Sequence, residues 1–428
     1  MMIINTNLKN KIYSNLFLAL SFVIPIHDKL VPPIILLIGI NWIFEFNFPE
    51  KIRRIKNFRF KKLIFTPVLL YLAYIIGTFY SEQLKGSSGA LFDLEVKLSL
   101  LLFPLFFSTI DLTVLGTGFF KKVLKSFVYG SLASSILLIN KAIMNYFNTQ
   151  DTSAFFYSNL SWMHHPSYLA LFFTFAIAIL LVWLITTEHK NIFKRNLVIF
   201  LIIHFELFIV LLSSKAGILG FGLTLLLLVL LVLLNDRKKI RIAILLTLIV
   251  SLTFGILFSL FPASYSRFSA AKKSIEDSNI PDNQKTEGSA ARLMVWECSV
   301  EIIKENFLFG VGTGDVKPEL NKKYDEKNIQ QAIKENLNAH NQYLQTFIAI
   351  GFIGFLLLIA CLMLPVYHGF QNRKILLMVF IVLFSFHLLV ESMLERQAGV
   401  VFFAFFSGLL ILDNYSFSQK SSPELPEV

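Results

Sequence analysis

The stretch AGILGFGLTLLLLVLLVLL, residues 216–234, carries no charge at all. A helix needs roughly 20 apolar residues to cross the hydrocarbon core of a bilayer. In that medium the backbone must satisfy its own hydrogen bonds, which leaves only helices and closed barrels. Similar long blocks recur along the chain, whereas barrel strands would read as ~10-residue alternating segments. The composition agrees: 55% of the 428 residues are hydrophobic, 16% are charged, and the mean hydropathy is +0.65. A soluble chain of this length would need a far more polar surface. The expected fold class is all-α, a polytopic membrane helical bundle.

The apolar blocks predict about twelve spans of bilayer length, at 12–27, 30–47, 63–80, 92–110, 123–143, 166–186, 195–212, 216–234, 240–261, 339–364, 374–391 and 398–413. The first, second and last are short or weakly separated, with IHDKL the only break between the first two. The first stretch lacks a small-residue cleavage site and reads as a span rather than a removable leader. Lys and Arg set orientation through the short loops. The segment EKIRRIKNFRFKK (50–62) holds seven basic residues, and EHKNIFKRN, NDRKKIR and QNRK are basic too. All four fall on one side of the predicted bundle, the cytoplasmic one, and both termini join them. The net charge of +11 is thus a topology signal. It is not interleaved with aromatics as a nucleic-acid channel requires, so no nucleic-acid partner is expected. This reading divides the chain into an N-terminal transmembrane bundle (1–196), a second region (197–413) and a cytoplasmic tail (414–428).

The outer side receives one large insertion, 262–338, with 11 Lys and Arg against 12 Asp and Glu. Within it Leu293, Trp296, Val300, Ile303 and Phe307 recur at three- and four-residue steps. That spacing predicts an amphipathic helix lying on the membrane or on the bundle. A second, more polar helix follows Pro318, with Leu320, Tyr324, Ile329, Ile333 and Leu337 roughly on one side. GVGTGD (310–315) lacks the strand before it and the Lys-Ser/Thr after it that a nucleotide loop needs, and reads as a turn. The polar stretch 272–289 is expected to be the most mobile part. Cys298 and Cys361 have no metal-site spacing and are not expected to pair.

The segment LNAHNQYLQTFIAIGFIGFLLL (337–358) raises the sharpest question. His340 and Asn341 open an apolar helix that holds Gly351 and Gly354 at depth. At 100° per residue, the eleven steps from His340 to Gly351 put both on about one face. Small residues let another backbone approach a membrane helix closely. The positive end of the helix dipole favours a neutral imidazole, the form a general base needs. His340 therefore reads either as a base or as an interfacial cap facing water. Lys215, Arg292 and Arg396 are cations on the outer side, where short loops usually lack them. They suit an anionic phosphate, or else lipid headgroups or an ion pair with Glu391 or Glu395. His164 and His165 point about 100° apart on a helix, a poor metal pair; Pro166 suits a helix start. His165 reads as a packing or groove residue. For His387 a bond to a nearby carbonyl is expected. Glu95, Lys97 and Glu206 are charges inside predicted spans. Glu206 has His204 near it, and mutual hydrogen bonding is the expected role of that pair.

His340-Asn341, nine residues, then Gly351-Phe-Ile-Gly354 fits the pattern H-[N/S/Q]-x9-G-x-x-G. Through it the chain resembles the O-antigen ligase and polymerase superfamily of bacterial envelope glycosyltransferases. RLMVWECSVEIIKENFLFGVGTG resembles that family's R…W…P..G.G stretch, with Asn306 where proline is common. Ser214-Lys215-Ala216 resembles its outer Ser-Arg-small turn, with lysine in place of arginine. The likeness is strong over residues ~197–365 and mainly topological before them. It implies a catalytic region at 197–413 and an inner-membrane enzyme with its site facing the periplasm. It further implies a glycan moved from undecaprenyl diphosphate to an acceptor hydroxyl, without nucleotide sugars, a required metal or another cofactor. His340 would be the base. Lys215, Arg292 and Arg396 would hold the diphosphate, with Asn341, Ser214, His165, Gly351 and Gly354 supporting. The acceptor would be lipid A–core for a ligase, another lipid-linked repeat for a polymerase, or a Ser or Thr hydroxyl for a protein O-oligosaccharyltransferase. A lipid-linked sugar transporter is the rival of another class. It would need inverted repeats and charges at the bilayer midplane, and no internal repeat is visible.

Overall fold

The computed structural model describes residues 6–86, 89–115, 118–186, 191–276 and 288–413. The tail at 414–428, and 277–287 within the polar stretch, lie outside the described residues. The described chain is helical throughout, and each apolar block falls on a helix or on two abutting ones. Seven helices are long and apolar enough to cross a membrane: Lys61–Thr78, Phe119–Thr149, Pro166–Thr186, Ile192–Leu212, Lys215–Asn235, Arg237–Leu260 and Gln342–Gln371. An eighth arises if Asp28–Ile43 and Phe48–Asn57, bent by 106°, form one span.

Three further expected spans form shorter helices. Block 92–110 is divided at Leu98 into Ala90–Lys97 and Ser99–Thr109. The helices Ile375–Val390 and Gln397–Leu412 have 16 residues each. At 1.5 Å per residue that is about 24 Å, less than the ~30 Å hydrocarbon core. Both are nonetheless buried along most of their length, Ile375–Val390 against Gln342–Gln371, Lys215–Asn235 and Pro166–Thr186, and Gln397–Leu412 chiefly against Ser99–Thr109. Their core is aromatic: Phe127, Phe172, Phe175, Phe380, Phe402 and Phe406 stack edge-on or tilted, with centroids as close as 4.7 Å for Phe172 and Phe402. Such pairs add directional attraction to the area they bury.

The insertion forms the helices Pro262–Glu276, Gly288–Glu305, Val316–Glu326 and Gln330–Glu335. The helix Gly288–Glu305 is apolar on two sides. Val295, Cys298, Ser299 and Ile302 form its buried side, whereas Leu293 and Val300 of the predicted stripe are 49% and 41% exposed. Ile303 and Trp296 of the same stripe pack on the core, so the predicted stripe runs along the edge between the buried and the exposed side. Cys298 and Cys361 are both buried and unpaired.

Candidate active site

The helix of the H-N-x9-G-x-x-G segment begins at Gln342, with Asn341 as its cap. The Asn341 side chain accepts from the Tyr343 and Leu344 backbone N–H groups at 2.9 and 3.2 Å, satisfying donors that every helix start leaves orphaned. His340 therefore stands outside the helix. Its φ of 45° is left-handed, a region that a non-glycine residue occupies at a cost of about 1–3 kcal/mol unless its surroundings enforce it. Here they do. Asn338 accepts from the His340 N–H at 3.0 Å, Gln345 accepts from the Ala339 N–H at 3.2 Å, and the Trp296 indole donates to the Ala339 carbonyl at 3.0 Å.

His340 and Gly351 do not share a face of one continuous helix. Besides the left-handed start, the helix breaks at Ile350 and Gly351, where Gly351 has φ 66° and ψ −162°. The backbone of the segment after Gly288–Glu305 fills the break. Val311 N–H donates to the Ile348 carbonyl at 2.8 Å, Gly312 N–H to Ala349 at 3.0 Å, and Phe352 N–H to Phe307 at 3.0 Å. A freed carbonyl in an apolar medium needs such a partner. A Cβ on Gly351 would sit 2.2 Å from the Leu308 carbonyl oxygen, and one on Gly310 2.4 Å from that of Ile348. A backbone does approach closely at these glycines, but it belongs to a loop rather than to a second helix. Gly354 faces the Ile350 side chain of its own helix. The same loop is the GVGTGD turn. Asp315 accepts from the Glu82 and Gln83 N–H groups, each at 2.8 Å, and the Thr313 hydroxyl donates to the Tyr74 carbonyl at 2.7 Å. The turn thus staples the motif helix to the helix Thr66–Thr78.

At the capped end, His340, Arg292 and Glu391 meet. Glu391 lies just past Val390, the last residue of its helix. Its carboxylate accepts from Arg292 Nη2 at 2.6 Å and lies 3.2 Å from His340 Nδ1. Burial would raise its pKa, but the hydrogen bond with His340 and the Arg292 guanidinium outweigh it and hold the carboxyl at about 2. An ionised acceptor favours the proton on His340 Nδ1 and leaves Nε2 with its lone pair. Arg292 Nη2 is also 3.3 Å from Nδ1. A protonated Nδ1 cannot accept from it, so the guanidinium is held by the carboxylate.

Sequence reasoning missed Glu391 as a site residue and named it only as an ion-pair partner. The available signal was an acid in a short outer segment between two apolar helices.

Of the other candidates, His165 and Arg396 lie near this end. His165 precedes the helix Pro166–Thr186. Burial lowers its pKa; Glu391 opposes the shift, and Arg292, His340 and Arg396 add to it, so these groups share one electrostatic environment. Arg396 is exposed and stands just before the helix Gln397–Leu412. Ser214 caps the helix Lys215–Asn235 by accepting from Gly217 N–H, and its hydroxyl lies 3.4 Å from that of Ser167, two residues after His165. Lys215 is the first residue of that helix, half-buried. His387 bonds the Leu383 carbonyl through Nδ1 at 2.9 Å. His204 and Glu206 do not bond each other: His204 Nε2 meets Ser135 Oγ at 2.7 Å, and Glu206 accepts from Thr253 at 2.7 Å. Neighbours in sequence, they leave the helix toward different partners.

Residues 196–359 match the family model described as O-antigen ligase. This segment, which carries Lys215, Arg292, His340, Gly351 and Gly354, is similar to that family over somewhat more than a third of the chain. An uncharacterized protein of Haemophilus influenzae is 26% identical over 250 residues, which cover 55% of this chain and 60% of that relative. The match therefore spans less than two thirds of the relative's length.

Proposed function

We propose that this chain transfers a glycan from undecaprenyl diphosphate to an acceptor hydroxyl, with lipid A–core as the acceptor, at the periplasmic face of the bacterial inner membrane. The observation that carries this reading is the contact of His340 with Glu391, itself ionised and paired to Arg292. An imidazole whose Nδ1 is bound to a carboxylate presents Nε2 as a base, and general-base assistance is worth about 10²–10⁴ in rate. The acceptor oxygen attacks the anomeric carbon, its proton passes to His340 Nε2, and the bond from that carbon to the diphosphate oxygen breaks. Attack opposite the leaving group inverts the anomeric centre. The diphosphate departs with added negative charge. Fixed cations stabilise such charge in the transition state, a role we assign to Arg292, Lys215 and Arg396. The lipid tail stays in the bilayer, against the apolar flank of the bundle.

The test is purified protein in lipid, supplied with an undecaprenyl-diphosphate glycan and, in parallel, lipid A–core, a second lipid-linked repeat, and a Ser/Thr peptide. Transfer to lipid A–core supports the ligase. Transfer only to the repeat makes the protein a polymerase, and transfer only to peptide makes it a protein glycosyltransferase. The His340→Ala variant is expected to fold and to lose transfer, and wild-type rates from it would sink the mechanism.

A further inference from the structure

Lys97 was left without a role by the sequence, as a charge inside an apolar block. It is fully buried, and its ammonium group lies 2.8 Å from Asp93 and 3.0 Å from Glu395. It also sits over the Tyr74 ring, 4.7 Å from the centroid. A buried cation with two carboxylates and an aromatic face is satisfied only while all of these stay in place. Glu395 passes the constraint on. Its other oxygen accepts from the Gln342 amide at 2.9 Å. The Gln342 carbonyl oxygen in turn accepts from the Leu394 backbone N–H at 2.7 Å, and its amide nitrogen is 3.2 Å from Thr346, whose hydroxyl is 3.0 Å from that of Tyr74.

This network grips two short pieces of chain. One is the turn 391–396, which begins with Glu391 and ends with Arg396. The other is the first turn of the motif helix, where Gln342 follows His340 by two residues. His340 and Glu391 are therefore set 3.2 Å apart by groups that touch neither of them. We propose that Lys97, with Asp93, Glu395 and Gln342, forms a positioning cluster that fixes the turn 391–396 against the start of the motif helix and so sets the His340–Glu391 contact. The role in transfer rests on the proposed function; the mechanical coupling does not.

The experiment uses the full chain in lipid nanodiscs, with Lys97→Met and Gln342→Met as variants. Amide hydrogen exchange is followed over 391–396 and 342–346, with the helix Pro166–Thr186 as internal reference. Transfer is measured with the undecaprenyl-linked glycan and whichever acceptor the wild type uses. Each variant is expected to raise exchange of the two gripped segments at least tenfold while the reference helix is unchanged. kcat should fall at least tenfold, with the donor KM within twofold and the pH profile of kcat displaced. Gln342→Met leaves the Lys97 ion pairs intact, so it carries the test if Lys97→Met does not fold. Unchanged exchange at 391–396 in a folded variant overturns the coupling. Raised exchange with unchanged kcat and pH profile overturns the positioning role. A wild type without transfer activity defeats the proposed function instead, and the exchange measurement still decides the coupling.

Discussion

Replacing Glu391 by glutamine preserves size and removes one charge. The side chain is 9% exposed and touches both Arg292 and His340. Its pKa falls from 4.5 to about 2, against the direction of burial. At about 1.4 kcal/mol per unit, the folded state favours the ionised form by roughly 3 kcal/mol. For a carboxyl with a depressed folded-state pKa, that stability is fully present above about pH 4.5 and is lost as the pH falls toward 2. Glutamine should therefore cost about 2–4 kcal/mol at neutral pH, the lower end because Arg292 is 28% exposed and water screens what it loses. The kinetic effect is larger than the stability effect implies. A glutamine amide can donate to Nδ1, which favours the tautomer with its proton on Nε2 and removes the base. The expected fall in kcat is about 10²-fold or more, with the donor KM little changed. The assay is the transfer rate in lipid between pH 5 and 9, paired with thermal unfolding. Because Glu391 stays ionised across that range, any acid limb in the wild-type profile belongs to another group. Wild-type kcat in Glu391→Gln, at any pH in the range, would refute the reasoning.

Two further outcomes follow from the geometry. Gly351→Ala should destabilise the protein by roughly 2–4 kcal/mol, because alanine meets both a backbone conformation reserved for glycine and the Leu308 carbonyl; an unchanged melting temperature would show that the break is not needed. Lys215→Ala should lower kcat about 10- to 100-fold, as the loss of one cation from the leaving-group site would, and Lys215→Arg should retain most activity; equal rates in all three proteins would remove Lys215 from the site.

What was legible in the sequence follows from what each signal measures. Apolar block length fixed helix positions closely: 166–186 is the helix Pro166–Thr186 to the residue. It did not fix how many helices cross the membrane, because burial in protein and burial in lipid select the same residues. Ile375–Val390 and Gln397–Leu412 are apolar for the first reason at least. The motif located His340 and the helix cap Asn341. Helical periodicity misassigned the glycines, because it presumes an unbroken helix and cannot see that a glycine with positive φ ends the period. Glu391 and Lys97 were visible as odd charges, and Asp93 lies one helical turn from Lys97, but His340 and Glu395, which tie them to the motif helix, lie 51 and 298 residues away along the chain. One sequence read alone carries no such pairing.

The fixed spacing of the motif acquires a different meaning from this geometry. The helix Gly288–Glu305 and the upper part of Gln342–Gln371 run side by side in the same direction. They are joined at the top by the bond from Trp296 to Ala339 and at the bottom by that from Phe352 N–H to Phe307. Eleven residues separate Trp296 from Phe307, and thirteen separate their partners Ala339 and Phe352. Continuous helix covers 296–305 on one side and 342–349 on the other, so the extra residues of the motif side lie in the left-handed turn at His340 and in the break. The spacing thus sets where the two joints fall. It lets Arg292 and His340 meet at the mouth while the loop 307–312 enters the break below. One alanine inserted after Leu344 would lengthen one side by about 1.5 Å and turn one joint by about 100° relative to the other. Either the cap or the break must then be lost, and both transfer and thermal stability should fall. A second alanine inserted after Ser299 lengthens the other side by the same step, and should recover stability in part. A single insertion that leaves the melting temperature and the transfer rate at wild-type values would show that the two helices are not in register by length, and that the motif spacing answers to something else.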